Sequence, residues 1–232
     1  MMKNRVITQL TLGVGLKDEA TFENYFAGKN ALLVEELKKA AQGAGERVIY
    51  FYGQGSTHLL QACCHEAHQQ GLSAAYLPLA SLIDFSPDVF EGLESRQLIC
   101  IDDIHRIAGN RIWEEAVFHA YNRIHDKGGQ LMMTANMAPK SLGLALPDMV
   151  SRLSGGIVFQ LQPLTDEEKL QVLTMRAERR GMMLSEEVGK FILTHCPRHM
   201  STLFSALETL DKMSLAAQRK LTIPFVKTVL EI

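Results

Sequence analysis

The chain has 232 residues, 47% hydrophobic and 22% charged, with 24 Lys and Arg against 26 Asp and Glu. This is ordinary globular composition without a broad basic field, so strong direct DNA binding is not expected. No apolar run is long enough to span a bilayer and no secretory leader is visible. The four cysteines (Cys63, Cys64, Cys100, Cys196) show neither metal nor disulfide spacing, so a reduced, cytoplasmic protein with no membrane partner is expected.

Residues 1–17 hold a short apolar run broken by Gly13 and Gly15. Within it, Gln9, Leu10, Thr11, Leu12 and Val14 put a polar anchor before alternating apolar residues, which suits either an edge strand or a peptide docking in an apolar groove. Thr21 to Phe26 and Gly28-Lys29-Asn30 then lead into a helical pattern from Ala31 to Ala41. The aromatic residues Phe22, Tyr25 and Phe26 either pack under that helix or wall an adenine pocket, which needs flat apolar sides with a few polar edges.

Val48 to Tyr52 reads as a strand that stops at Gly53-Gln54-Gly55-Ser56-Thr57, and a helix is expected from Thr57 to about Gln70. Strand, glycine-rich turn and helix opening at Ser/Thr are the setting of a phosphate-binding loop, where backbone N–H groups face the anion. The motif is incomplete. Only three residues separate Gly53 from Thr57 and no lysine precedes Thr57. The full pattern has three more residues there, worth roughly 10 Å of chain. Two explanations stay open: phosphate binding has been lost, or loop residues are missing from the sequence as written.

Ala74 to Leu79 is the next expected strand, and Pro87 to Glu94 a short helix. Gln97 to Asp103 follows, four apolar residues ending in two carboxylates, the mark of a buried strand with a charged tip. Ile112 to Asp126 is an amphipathic helix with Ile112, Ala116, Val117, Ala120, Tyr121 and Ile124 expected on one face, and Trp113 assigned to packing. Gln130 to Thr134 is a strand leading to Asn136, either a turn former or a group that orients water. Pro147 to Leu153 is a short helix carrying Arg152, and Ile157 to Leu161 the last strand.

At Gln162-Pro163 strand–helix alternation gives way to helices alone. They are expected from Thr165 (a capping box with Glu168) to Arg180, from Ser185 to His195, from Met200 to Ser214, and from Thr222 onward. The expected division is a tail at 1–17, a nucleotide-binding αβα unit at 18–162 with a parallel sheet, and an all-helical lid at 163–232.

Together these stretches resemble the AAA+ module of bacterial DnaA-type initiators, a P-loop-type αβα sandwich followed by a small helical lid. Thr21 to Asn30 resembles the family's adenine segment, Gly53 to Leu60 a shortened Walker A element, and Ile99 to His105 its Walker B strand. Asn136 falls at sensor 1, where the family usually has an acid. Ser151-Arg152-Leu153 matches the box that supplies an arginine finger, and Arg198 matches the sensor 2 arginine. Residues 9–14 resemble the motif that docks on the replication sliding clamp, with Gly13 where proline or leucine is common. With Leu221 to Lys227, this points to the Hda-type branch, DnaA homologues that act as regulatory inactivators.

The resemblance implies a negative regulator of replication initiation that acts with the DNA-loaded clamp. Arg152 would serve DnaA-bound ATP in trans, with Asp103 and Asn136 as further catalytic groups. ADP would lie on Tyr25, Phe26, Asn30, Gly53, Gly55, Ser56, Thr57, Asp102 and Arg198, and Thr57 and Asp102 would hold any Mg²⁺. Gln9, Leu10, Thr11, Leu12 and Val14 would bind the clamp. DnaA, the clamp and a second copy of the chain are the expected partners. An autonomous, helicase-loader-like ATPase is the alternative, and a scaffold without nucleotide is a third class.

Overall fold

In the computed structural model the described residues are 16–17 and 19–232, so the candidate docking residues Gln9 to Val14 lie outside them. Five parallel strands, β1 (Val48–Tyr52), β2 (Ala74–Pro78), β3 (Leu98–Asp102), β4 (Gln130–Ala135) and β5 (Ile157–Gln160), form one sheet in the order β2-β3-β4-β1-β5. Its central strands are apolar at nearly every position because both faces are covered. Ile49, Phe51, Cys100 and Met132 pack under helices α1 (Ala31–Ala41) and α2 (Ser56–Gln69). Val48, Tyr50, Ile99, Ile101, Leu131 and Met133 face the opposite layer. That layer holds a four-residue helix α3 (Leu79–Leu82), then α4 (Arg111–Asp126) and α5 (Pro147–Gly155). The protein is an α/β sandwich of three layers.

A second unit of four helices follows: α6 (Asp166–Arg179), α7 (Glu186–His195), α8 (Met200–Ala217) and α9 (Ile223–Leu230). It has its own core around Leu173, Ile192, Leu203, Leu207, Leu210 and Val226. Thr165 and Glu168 close the capping box at the head of α6, and Gly181 (φ +73°) takes the left-handed position that ends it.

Three expectations are corrected. Ile112 is 71% exposed, and the buried stripe of α4 runs through Trp113, Val117, Ala120, Tyr121 and Ile124, which keeps helical spacing better. Trp113 packs edge-on against Phe90, with ring centroids 6.0 Å apart. The stretch expected as one helix from Pro87 to Glu94 forms two 3₁₀ turns, Pro87–Phe90 and Leu93–Ser95, because Gly92 between them takes φ +77°. α8 runs on to Ala217, past the expected Ser214. All four cysteines are free, and three are buried. No helix among the described residues is long and apolar enough to cross a membrane.

Candidate functional site

Parallel strands put all five C-terminal ends at one edge of the sheet, where ligands of such sheets are held. At this edge β1 passes to α2 through Gly53 (φ +123°), Gln54 and Gly55 (φ +92°), and the Gly53 carbonyl accepts from Ser56 N–H at 3.4 Å. Gly53 is required twice over, Gly55 by its backbone alone. Their φ values disfavour other residues, and a Cβ on Gly53 would lie 2.9 Å from Leu161 Cβ while one on Gly55 would lie 3.4 Å from the Tyr25 ring. The turn therefore lies tight against the exit of β5 and in ordinary contact with the Tyr25 ring. Burial pushes the Tyr25 phenol up to about 12. The first-turn N–H groups of α2 face this mouth, as at any helix N-terminus. Ser56 is buried beneath it and Thr57 is exposed.

Asn30 is buried and spends its amide on the hinge between the two units. It donates to the Gln162 carbonyl at 3.1 Å and accepts from Gln162 N–H at 2.8 Å. Phe26 lines a small cleft of about 150 Å³ with Glu19, Asn24, Met175, Arg176 and Phe204, between the N-terminal segment and the lid. Arg198 is exposed and pairs with Asp166 at the head of α6, at 3.0 Å. Its neighbour His199 bonds the Gly53–Gly55 turn, its Nδ1 accepting from Gln54 Nε2 at 3.1 Å.

The acidic tip of β3 divides into two unlike carboxylates. Asp102 is 2% exposed; one oxygen accepts from Tyr76 OH at 2.8 Å and the other from Thr134 Oγ1. Tyr76 OH in turn accepts from Gln61 Nε2 at 3.2 Å. Among the described residues no group of three His, Cys, Asp or Glu side chains stands ready for a metal. In this arrangement Asp102 is a buried acceptor for two hydroxyl groups. Asp103 takes a left-handed backbone (φ 60°), which turns its carboxylate out of the strand. Burial, then the charge of Asp102, raises its pKa above the usual carboxylate range. Asn136 stands exposed past the end of β4, the neighbouring strand.

Arg152 lies at the other edge. α5 starts near the C-terminal ends of the strands and runs back to Gly155, just before β5 begins at Ile157, so Arg152 comes to rest beside Arg47 and Val48. The guanidinium is exposed, 5.7 Å from the Tyr121 ring centroid, in a cleft of about 560 Å³ lined also by Glu46, Phe118, His125 and Asp148. Among the described residues no carboxylate pairs with it. A Cβ on Gly156 would meet the Val48 carbonyl oxygen at 2.2 Å, so only glycine lets the end of α5 lie this close to β1.

One contributor escaped sequence reading. Glu114 of α4 is fully buried and accepts from Gly109 N–H (2.8 Å), Ala145 N–H (3.1 Å) and Leu146 N–H (2.9 Å). It thereby fixes the entry into α5 and the placement of Arg152. The available signal was its spacing: Glu114, Val117 and Tyr121 share a face, and a carboxylate on a core face must be bonded.

The chain resembles domain III of the DnaA initiator from Thermotoga maritima, with a TM-score of 0.81 at 22% identity over 94% of this chain and 98% of that one. AMPPCP-bound DnaA from Aquifex aeolicus gives 0.73 at 23% identity, covering 86% of this chain and 67% of that one. The RuvB Holliday junction branch migration motor of T. maritima gives 0.68 at 16%, covering 91% and 71%. These likenesses show the fold. The family follows from the family models: residues 16–160 match the bacterial DnaA ATPase domain and residues 166–230 the Hda lid domain, so the chain belongs to the DnaA-homologous AAA+ family, in its Hda-type branch.

Proposed function

We propose that this chain turns off a DnaA-type initiator by donating Arg152 to the ATP that DnaA holds, while residues 9–14 tether it to the DNA-loaded sliding clamp. One observation carries this reading. Arg152 is exposed, has no carboxylate partner among the described residues, and stands at the sheet edge opposite the chain's own Gly53–Gly55 turn, which supports a charge offered to another molecule's phosphates. A fixed guanidinium against a γ-phosphate stabilises charge that grows in the transition state. The clamp tether raises local concentration and adds no chemistry. The cleft that holds Arg152 supplies the surface against which DnaA, or a second copy of the chain, would seat.

The chain's own turn supports a binding role. It lacks the lysine and three residues of a full phosphate loop, so Gly53, Gly55, Ser56 and Thr57 offer backbone N–H groups and a hydroxyl but no fixed charge. ADP is the ligand we assign there, with Tyr25 beside it; the structure of AMPPCP-bound DnaA supports an adenine nucleotide. Asp103 and Asn136, at adjacent strand exits, are the groups an autonomous ATPase would use.

Hydrolysis assays on the chain alone, on DnaA alone, and on both with DNA-loaded clamp separate these readings. ADP release is expected only in the complete mixture, and Gln9→Ala with Leu10→Ala should abolish the stimulation without altering the fold. Turnover by the chain alone at the rate of the mixture would establish the autonomous reading instead.

A further inference from the structure

The segment leading into the α/β unit makes its contacts in alternation. Lys17 N–H donates to Gln61 of α2 at 3.0 Å, and the Lys17 carbonyl accepts from His65 of α2 at 3.0 Å. Glu19 reaches instead to the lid, where its two carboxylate oxygens pair with Arg176 and, at 2.7 Å, with Arg180. Thr21 returns to α2, its carbonyl accepting from His58 Nε2 at 2.8 Å. Glu23 goes back to the lid, its carbonyl accepting from Arg179 Nη2 at 2.7 Å.

The lid end of this seam is set deeper than an ordinary surface ion pair. The Arg176 and Arg180 side chains are only 21% and 22% exposed. Arg176 stacks on Phe204 of α8, 4.1 Å from the ring centroid, and Arg180 lies 3.6 Å from Asp211 of the same helix. Glu19 therefore engages a guanidinium pair already bonded into two lid helices, while its own carboxylate is 54% exposed and so open to screening by salt. At its other end the seam grips the helix that opens at the phosphate turn.

We propose that Lys17 and residues 19–23 are a strap holding the helical lid against the phosphate-turn helix, with Glu19 as its fastening, so that lid closure needs no nucleotide. Parting of the Glu19 pairs leaves the lid held at this seam by the Arg179 bond to the Glu23 carbonyl alone.

Hydrogen–deuterium exchange on the full chain without nucleotide tests this. In Glu19→Ala, amides of α6 and of residues 19–24 should exchange about fivefold faster, while β1 and β4 exchange at the parental rate. Glu23→Ala is the matched control, since Glu23 contributes only its carbonyl, and should behave as the parent. Raised salt on the parent should accelerate the same lid amides, which decides the matter if Glu19→Ala does not fold. Parental α6 exchange in Glu19→Ala, or equal acceleration in Glu23→Ala, or no response to salt in the parent, would overturn the strap.

Discussion

His58 sits with its ring 5.5 Å from that of Tyr25, between the phosphate turn and the N-terminal segment. Burial is the largest influence on it and holds its pKa below 6.5, against the opposing bond to the Thr21 carbonyl. The folded protein therefore keeps His58 neutral at pH values where the unfolded chain has begun to protonate. Its contribution to stability is complete above the unfolded pKa and is lost as pH falls from about 6.5 towards the folded value. Melting temperatures from pH 7 down to 5 should fall, and His58→Gln, which keeps a donor without a titrating ring, should fall less steeply. Equal slopes would contradict the assignment. At this scale the sequence showed chemistry better than partnership. Asp102 and Asp103 were legible as a charged strand tip. Tyr76 and Thr134, which seal the first and leave the second free, were not, because they come from strands 26 and 32 residues away.

Local patterns carried most of the elements, and they failed where local signals conflict. The helix from Ala31 to Ala41 and the cap at Ser185 followed from periodicity and capping chemistry. α3, of four residues, is too short to show a period, and Ile112, four residues before Ala116, fits an apolar stripe by spacing although it is exposed. The link between α4 and α5 was hidden for a related reason: Glu114 binds backbone N–H groups 31 and 32 residues further on, which no spacing rule reaches. Glu114→Ala leaves three N–H groups facing an apolar interior, a loss of about 3 kcal/mol or more. For a chain of this size that lowers the melting temperature by roughly 6–12 °C in calorimetry. A shift within about 1 °C would show that α5 is fixed by Met149 and Leu153 alone.

The whole molecule places the two candidate sites at opposite edges of one sheet. The strand order β2-β3-β4-β1-β5 puts the phosphate turn beside the acidic strand's neighbour at one edge, and the run of α5 carries Arg152 to the other. The class of fold, the change of character near residue 162 and the short helix that carries Arg152 were legible in sequence. That the two edges oppose each other was not, since it depends on the direction in which α5 crosses the sheet. The same arrangement makes the account testable at one atom group. Single-turnover hydrolysis of ATP bound to DnaA, with DNA-loaded clamp present, is to be compared for the parent chain and Arg152→Ala. The stimulated rate should drop by about 10³-fold or more, the worth of an arginine finger, while clamp binding stays at the parental level. Stimulation by Arg152→Ala equal to that of the parent would contradict the transfer of this guanidinium to another molecule's ATP.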